Sequence, residues 1–367
     1  MKKVLHILNE LKFSGAEIMY VNAAPIFQQL GYKLYVVNTT EHLGEYASHF
    51  ERAGYTVLHW PYPKNMVKRW SYYRHVISFI RKEHIDVVHI HNSGMKWGMS
   101  YCAKRAHANS VYTFHSCFPI RWFSKPYQIW LRWSAKHIFG CRFQTISDSV
   151  YENELKVFHN RTTLVYNWYG NKRFYPGTEE EKLQSRTSLG IAKNALVVIS
   201  VGGCSEIKRH TEIIKALPLV LQKYPDAIYL HLGHGAALEA EEQLAKDLGV
   251  FDHIRFEGNQ NNVRKFLIAS DLYLMTSVRE GIPITTIEAM ACNIPAILYD
   301  VPGLRDFNKE KECSILIKED YKTLADAICA LYADKALQNE RTKNASEYVN
   351  LRYSIDKNVR EIAKLYE

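Results

Sequence analysis

Short apolar runs rich in β-branched residues alternate with longer stretches of helical spacing from one end of the chain to the other. In the first half the runs are Val4–Leu8, Lys33–Asn38, Asp86–His91, Val111–His115, Phe143–Ile146 and Thr163–Tyr166. In the second half they are Leu196–Val201, Ile228–Leu232, His253–Phe256, Leu272–Met275, Ala296–Leu298 and Ser314–Ile317. Consecutive parallel strands need a crossover between them, and the helices that supply it cover both faces of the sheet. The pattern therefore predicts two doubly wound α/β domains built on parallel sheets. Between the two sets stands Pro176-Gly177-Thr178-Glu179-Glu180-Glu181, a turn leading into a helix, with Thr178 and Glu181 at capping-box spacing. We place a first domain over 1–170, a linker with a helix over 171–195, a second domain over 196–350 and a closing helix over 351–367. The closing helix is predicted from apolar residues Ile355, Val359, Ile362, Ala363 and Tyr366, with Ser354 as its N-cap. Pro25 is expected to kink the first helix.

A length of 367 residues with 47% hydrophobic side chains supports two such cores and excludes a disordered or fibrous chain. No apolar run approaches the roughly 20 residues that a membrane-spanning helix needs. Met1-Lys2-Lys3 and the short apolar stretch after it read as the start of a buried strand and not as a signal peptide. Seven cysteines are scattered without a CxxC pair, so free thiols in a reducing cytoplasm are expected. The GxGxxG turn of a nicotinamide-binding domain is absent after the first run, which argues against a dehydrogenase.

The net charge of +9 is unevenly placed. Residues 1–170 hold 21 basic against 10 acidic side chains, and residues 60–136 hold 13 against two, Glu83 and Asp86. A local field of that size points to an anionic partner on the first half. Three stretches mix the cations with aromatics: Trp60 to Lys64, Lys68 to Arg74, and Arg121 to Trp133. Such segments lie on anionic bilayers, each nearby cation contributing about 1 kcal/mol. The alternative is that the aromatics pack in the core above a solvated basic face. Nucleic acid is not expected as a partner, because no recognised binding motif occurs. His89 and His91 could be metal ligands on one strand face, but no further ligand stands at suitable spacing, and a structural or cleft role is favoured.

The most informative segment runs from Ser277 to Pro295 and follows a buried strand. Gly281 permits a tight turn, Pro283 suits a first helical position, and Asn293 with Pro295 ends the helix. A helix N-terminus at the carboxyl edge of a parallel sheet is an anion site suited to phosphates. Glu280 stands just before the helix and Glu288 inside it, and carboxylates accept hydrogen bonds from paired sugar hydroxyls. The bland alternative is a capped core helix with two solvated glutamates.

The Glu280 to Glu288 spacing, opening on Glu-Gly-Ile-Pro and closing on Glu-Ala-Met-Ala, resembles the signature of retaining glycosyltransferase family 4. Further segments resemble that family in order: Ser14-Gly15-Ala16-Glu17, Asp86 to His91, Thr113-Phe114-His115, Thr145 to Asp148, Val165-Tyr166-Asn167, Val201-Gly202-Gly203 with Lys208, and Leu232 to Gly235. The resemblance implies the GT-B fold: two Rossmann-like domains facing across a cleft, with the last helix crossing back to the first domain. It implies that Glu280 contacts the donor hexose and helps place its anomeric carbon, and that Glu288 holds the nucleotide ribose. Backbone groups of Gly281, Ile282, Pro283, Ile284 and Thr285 would approach sugar and diphosphate. Lys208 would neutralise the leaving diphosphate, Gly15 would let the backbone close on the phosphates, and His115 would face the reacting centre.

The chain departs from the family at Gly203, where an arginine usually supplies a bidentate phosphate contact, and Arg209 is the candidate replacement. Pro283 replaces a frequent glycine, and Ser14 the first glycine of a common pair. No Asp-x-Asp occurs, so neither a metal nor another cofactor is expected, Lys208 and the helix dipole standing in for Mg²⁺. The implied activity is retaining transfer of a hexose from a nucleotide sugar, UDP favoured over GDP, to a glycan or lipid-linked acceptor of surface polysaccharide or lipopolysaccharide. It would run in the cytoplasm, peripherally on the inner membrane face. The alternatives are a non-catalytic sugar-nucleotide or glycan-binding protein, and another GT-B chemistry such as phosphorolysis or epimerisation.

Overall fold

The computed structural model describes residues 1–117 and 122–367. The chain separates into two compact units, one of Met1–Trp168 with Ile355–Glu367 and one of Tyr169–Ser354.

The first unit holds β1 (Lys2–Leu8), β2 (Tyr32–Asn38), β3 (Thr56–His59), β4 (Val87–Ile90), β5 (Asn109–Phe114), β6 (Arg142–Thr145) and β7 (Thr163–Leu164). All pair in parallel, in the order β3-β2-β1-β4-β5-β6-β7. Its helices are α1 (Gly15–Gln29), α2 (Ala47–Arg52), α3 (Met66–Glu83), α4 (Lys96–Ala106), α5 (Lys125–His137) and α6 (Asp148–Phe158). The central strand β1 is buried on both faces from Val4 onward. That is why it reads as a continuous apolar run and not as an alternation. β3, half-exposed at the sheet edge, is an addition to the predicted set. α1 continues through Pro25 to Gln29 as one helical element.

The second unit holds β8 (Val197–Val201), β9 (Ile228–Leu232), β10 (Ile254–Gly258), β11 (Leu272–Met275), β12 (Ala296–Tyr299) and β13 (Ile315–Ile317), with helices α7 (Glu179–Ser188), α8 (His210–Leu221), α9 (Leu238–Asp247), α10 (Val263–Ala269), α11 (Ile284–Ala291), α12 (Tyr321–Ala333) and α13 (Lys335–Arg352). The parallel order is β10-β9-β8-β11-β12-β13. Thr178 and Glu181 form the predicted capping box at the head of α7. Arg186 ties α7 to the sheet, donating to Asp271 at 2.7 Å and to the carbonyls of Ala269, Lys193 and Ala195.

The last helix, α14 (Ile355–Lys364), belongs to the first unit and turns Ile355, Val359, Ile362 and Ala363 inward. Tyr366 just beyond it is fully buried, stacks on Phe27 at 5.8 Å and reaches His89 Nδ1 at 2.6 Å through its hydroxyl. Burying such a face stabilises by about 1.5–3 kcal/mol per large apolar side chain.

Candidate active site

β11 ends at Met275, and the chain then loops to the start of α11. Thr276 fixes the first part of this loop, its hydroxyl donating to the carbonyls of Lys208 and Arg209 at 2.9 and 3.0 Å. The amide of Val278 donates to Ile207 O at 2.9 Å, so the 205–209 and 276–280 segments are held side by side. Glu280 is positioned from the other side, its amide donating to Pro302 O at 3.1 Å. Gly303 makes that approach possible. At φ +84° it occupies the left-handed region, and a Cβ there would lie 2.5 Å from Glu280 O.

Pro283, predicted as the first helical residue, is instead the N-cap of α11, with an extended ψ of 123°. The extended ψ starts the helix one residue later, so the first helical amide belongs to Ile284, a residue that can donate where proline cannot. No side chain caps α11. Its first-turn amides therefore keep their donor capacity and the positive end of the helix dipole. Thr285 offers only its backbone, because its hydroxyl donates to Val201 O at 3.1 Å. Asn293 takes the predicted left-handed conformation after the helix, at φ 59°.

Lys208 and Glu280 meet directly, Nζ to Oε1 at 2.7 Å, both partly buried. The lysine stem crosses Gly202, where a Cβ would sit 3.2 Å from Lys208 Cε. A cation and a carboxylate are thereby held together with neither capped by further ion pairs among the described residues. Arg209 goes elsewhere. It donates to Glu319 at 2.7 Å and lies 3.5 Å from Glu212, from a left-handed backbone at φ 50°. Its guanidinium is thus spent on two carboxylates, and Gly203 is exposed with no arginine to replace.

Glu288 is 5% exposed, and its carboxyl accepts none of the hydrogen bonds found among the described residues. Burial pushes its carboxyl up to about 8, against the pull of Arg173. A buried carboxyl with no protein partner is one that a bound hydroxyl can satisfy. Ile282 and Ile284, on either side of Pro283, are buried as well.

The remaining candidates, Gly15 and His115, lie in the first unit. Gly15 opens α1, preceded by Ser14, whose hydroxyl donates to the buried carboxylate of Glu17. His115 follows β5 and touches His91 at 3.0 Å, which touches His6 at 3.2 Å. Sequence reasoning missed this row, although His6, His91 and His115 stand in or just after adjacent parallel strands, where such side chains converge. Desolvation pushes His6 down to about 3 and His115 to about 4, and His91 falls with them, so the row is neutral near pH 7. His89 spends both ring nitrogens on hydrogen bonds, to Tyr366 at 2.6 Å and Thr113 at 2.8 Å, but the fold also brings His6 within 4.8 Å of the His89 and His91 ligand atoms, a third imidazole that spacing along the sequence did not show.

Of the three cation–aromatic stretches, the third departs from core packing: Trp122, Phe123, Tyr127, Trp130 and Trp133 are all exposed. Arg132 is the buried member, bidentate to Glu154 at 2.8 and 2.9 Å. Arg121 lies outside the described residues. In the other two stretches Tyr72 is buried and Trp60 packs edge-on against Phe79, while Trp70 stays exposed. No helix among the described residues is long and apolar enough to cross a membrane.

Comparison with known proteins places the fold. Residues 13–169 match the glycosyltransferase family 4 domain and residues 181–348 the glycosyl transferases group 1 domain, so the two together take in most of the chain. The N-acetyl-alpha-D-glucosaminyl L-malate synthase of Bacillus anthracis is 27% identical over 203 residues, 55% of this chain. That alignment spans about half the relative's own length, 52%. The UDP-Gal:alpha-D-GlcNAc-diphosphoundecaprenol alpha-1,3-galactosyltransferase of Escherichia coli is 23% identical over 297 residues, 78% of this chain and 76% of the relative. Among solved structures, Anabaena Alr3699/HepE in complex with UDP and glucose superposes with a TM-score of 0.85 at 18% identity, covering 99% of each chain. At that identity the likeness shows the fold. With its two parallel-sheet units of seven and six strands, the chain belongs to the GT-B glycosyltransferases of family 4.

Proposed function

We propose that this chain is a retaining hexosyltransferase that uses a UDP-sugar and needs no divalent cation at the diphosphate. The observation that carries the reading is the Lys208–Glu280 pair on segments tied to one another, in the loop that leads into the uncapped start of α11. The α11 amides and Lys208 would take the diphosphate and neutralise charge as it leaves. Glu280 would hold the hexose and Glu288 the ribose hydroxyls. Backbone groups from Gly281 to Thr285 would line the sugar and phosphates. Gly15 and His115 are assigned to phosphate approach and to the donor sugar by family resemblance alone. In the transfer step the acceptor oxygen bonds to the anomeric carbon from the face that the diphosphate leaves. The bond from that carbon to the phosphate oxygen breaks, and the departing phosphate takes the acceptor's proton.

A glycan or lipid-linked acceptor in surface polysaccharide or lipopolysaccharide synthesis fits the relative that acts on a diphosphoundecaprenol-linked sugar. It also fits the basic first half and the exposed aromatics of α5, which suit peripheral attachment to an anionic membrane at the cytoplasmic face. One observation favours a second reading. Gly203 lacks the usual arginine and Arg209 is held by Glu319 and Glu212, which would suit a protein that binds the donor without turning it over.

The test is to incubate the purified chain with a panel of UDP- and GDP-sugars, with and without membrane extract. Nucleoside diphosphate release that rises with extract supports transfer. Donor binding without release supports the second reading, and release without extract points to another GT-B chemistry. Added Mg²⁺ or Mn²⁺ should leave the initial rate within about twofold; a large stimulation would contradict the metal-free diphosphate site.

A further inference from the structure

We propose that Cys204, His210, His231 and Glu241 form a zinc site that pins the loop leading to Lys208. The four come from separate places in the second unit: the loop after β8, the first turn of α8, strand β9 and helix α9. Their ligand atoms all lie within 4.8 Å of one another, and every one of the residues is buried. His231 Nε2 is 3.0 Å from His210 Nδ1, 3.0 Å from Glu241 Oε2 and 3.9 Å from Cys204 Sγ. His210 Nδ1 is 3.4 Å from Glu241 Oε1.

Two physical points favour a metal over a hydrogen-bonded cluster. First, an imidazole nitrogen carries either one proton or one lone pair, so it forms one good hydrogen bond, yet three polar atoms surround His231 Nε2. Second, the four distances, 3.0 to 3.9 Å, bracket the edges of a coordination tetrahedron. Zinc bonds of about 2.0–2.1 Å to nitrogen or oxygen and about 2.3 Å to sulfur give edges of roughly 3.3 Å between N or O ligands and roughly 3.5 Å from N to S. A thiolate, two imidazoles and a carboxylate in a closed site suit Zn²⁺, while Mg²⁺ and Ca²⁺ prefer all-oxygen sets. Binding forms the Zn–S bond and releases the Cys204 thiol proton to solvent.

The backbone is built to receive it. The Cys204 amide donates to His234 O at 3.3 Å, and the Ala237 amide donates to Cys204 O at 3.2 Å. A Cβ at Gly235 would lie 2.3 Å from Cys204 O, so this turn and the Cys204 loop need a glycine between them. The loop then runs four residues to Lys208, whose amine reaches Glu280. The zinc would act as a staple for that loop and not as a participant in transfer.

The test is cobalt titration of the untagged, full-length protein after chelation. One equivalent of Co²⁺ should produce the visible bands of a tetrahedral ion and a near-ultraviolet thiolate-to-cobalt band, both bleached by one equivalent of Zn²⁺. Cys204→Ser should erase the thiolate band and weaken binding by more than the roughly 10- to 100-fold that loss of an outer-sphere partner costs. The all-histidine cluster of His6, His89 and His91 cannot supply that band, and six other cysteines remain in the variant. A wild-type protein that gives no tetrahedral thiolate spectrum at one equivalent overturns the assignment, whatever the variant's folding. So does a thiolate band that survives Cys204→Ser. His231→Gln provides a second variant, expected to lose tetrahedral cobalt binding while its circular dichroism stays native.

Discussion

Glu288, proposed to hold the ribose, would tie donor binding to pH. Its carboxyl stands near 4.5 in the unfolded chain and is pushed up to about 8 by burial in the folded one. Between those values the folded state holds a proton that the unfolded state has lost, so stability falls as pH rises from 4.5 toward 8. Glu288→Gln cannot titrate, and its melting temperature relative to wild type should therefore climb between pH 5 and pH 9. In the proposed site the ribose hydroxyls would donate to the ionised form, so UDP affinity should increase toward pH 8, by at most about tenfold per pH unit, and then level off. A profile in Glu288→Gln as steep as the wild type's would remove this residue from the nucleotide site. Gly303 makes the complementary case for backbone. Gly303→Ala forces a left-handed alanine whose Cβ meets Glu280 O, at a cost of about 1–3 kcal/mol. Its kcat should fall, because the strain lands on the residue assigned to the hexose. A variant with wild-type melting temperature and kcat would contradict that packing.

At the scale of elements, the closing helix gives the clearest stability test. Tyr366→Phe leaves the stacking on Phe27 but deprives buried His89 of its hydroxyl partner, which should cost about 1–3 kcal/mol by urea unfolding. This helix was legible because Ile355, Val359, Ile362 and Ala363 repeat at helical spacing and all turn inward. The inner strands were legible for a related reason: residues such as Val4, Leu5 and Ile7 are buried on both sheet faces, leaving an unbroken apolar run. β3 was not, since Thr56 and His59 are exposed at an edge and four half-buried residues carry little pattern. Helix ends were mixed. Asn293 marks the end of α11 as expected, but α3, α4 and α6 stop on His84, His107 and His159, all left-handed, where glycine or asparagine is the usual signal. His107→Gly should accordingly be neutral or stabilise by up to about 1 kcal/mol, measured by thermal unfolding, despite the entropy that glycine adds to the unfolded chain. In the site, the spacing of Glu280 and Glu288 was readable along one segment. The Lys208–Glu280 contact, the commitment of Arg209 to Glu319 and the Cys204 cluster were not, because each joins residues far apart in sequence that only the sheet order brings together.

For the molecule as a whole, the decisive asymmetry is electrostatic: the excess positive charge lies in the first 170 residues, along with the exposed aromatics of α5. Vesicles of phosphatidylglycerol should sediment the protein at low salt, and vesicles of phosphatidylcholine should not. Trp122→Ala combined with Trp130→Ala and Trp133→Ala should abolish the effect; sedimentation that survives in this variant would mean that α5 and the turn before it are not the contact. The second half, near electrical balance, carries the residues assigned to the nucleotide, and calorimetric titration of UDP into the wild type, Lys208→Ala and Glu288→Ala examines them together. The wild type should bind, and each variant should bind about 10- to 150-fold more weakly, as expected for loss of a hydrogen bond with a charged partner worth about 1.5–3 kcal/mol. Equal UDP affinity in all three proteins would show that the start of α11 and Lys208 are not where the diphosphate rests.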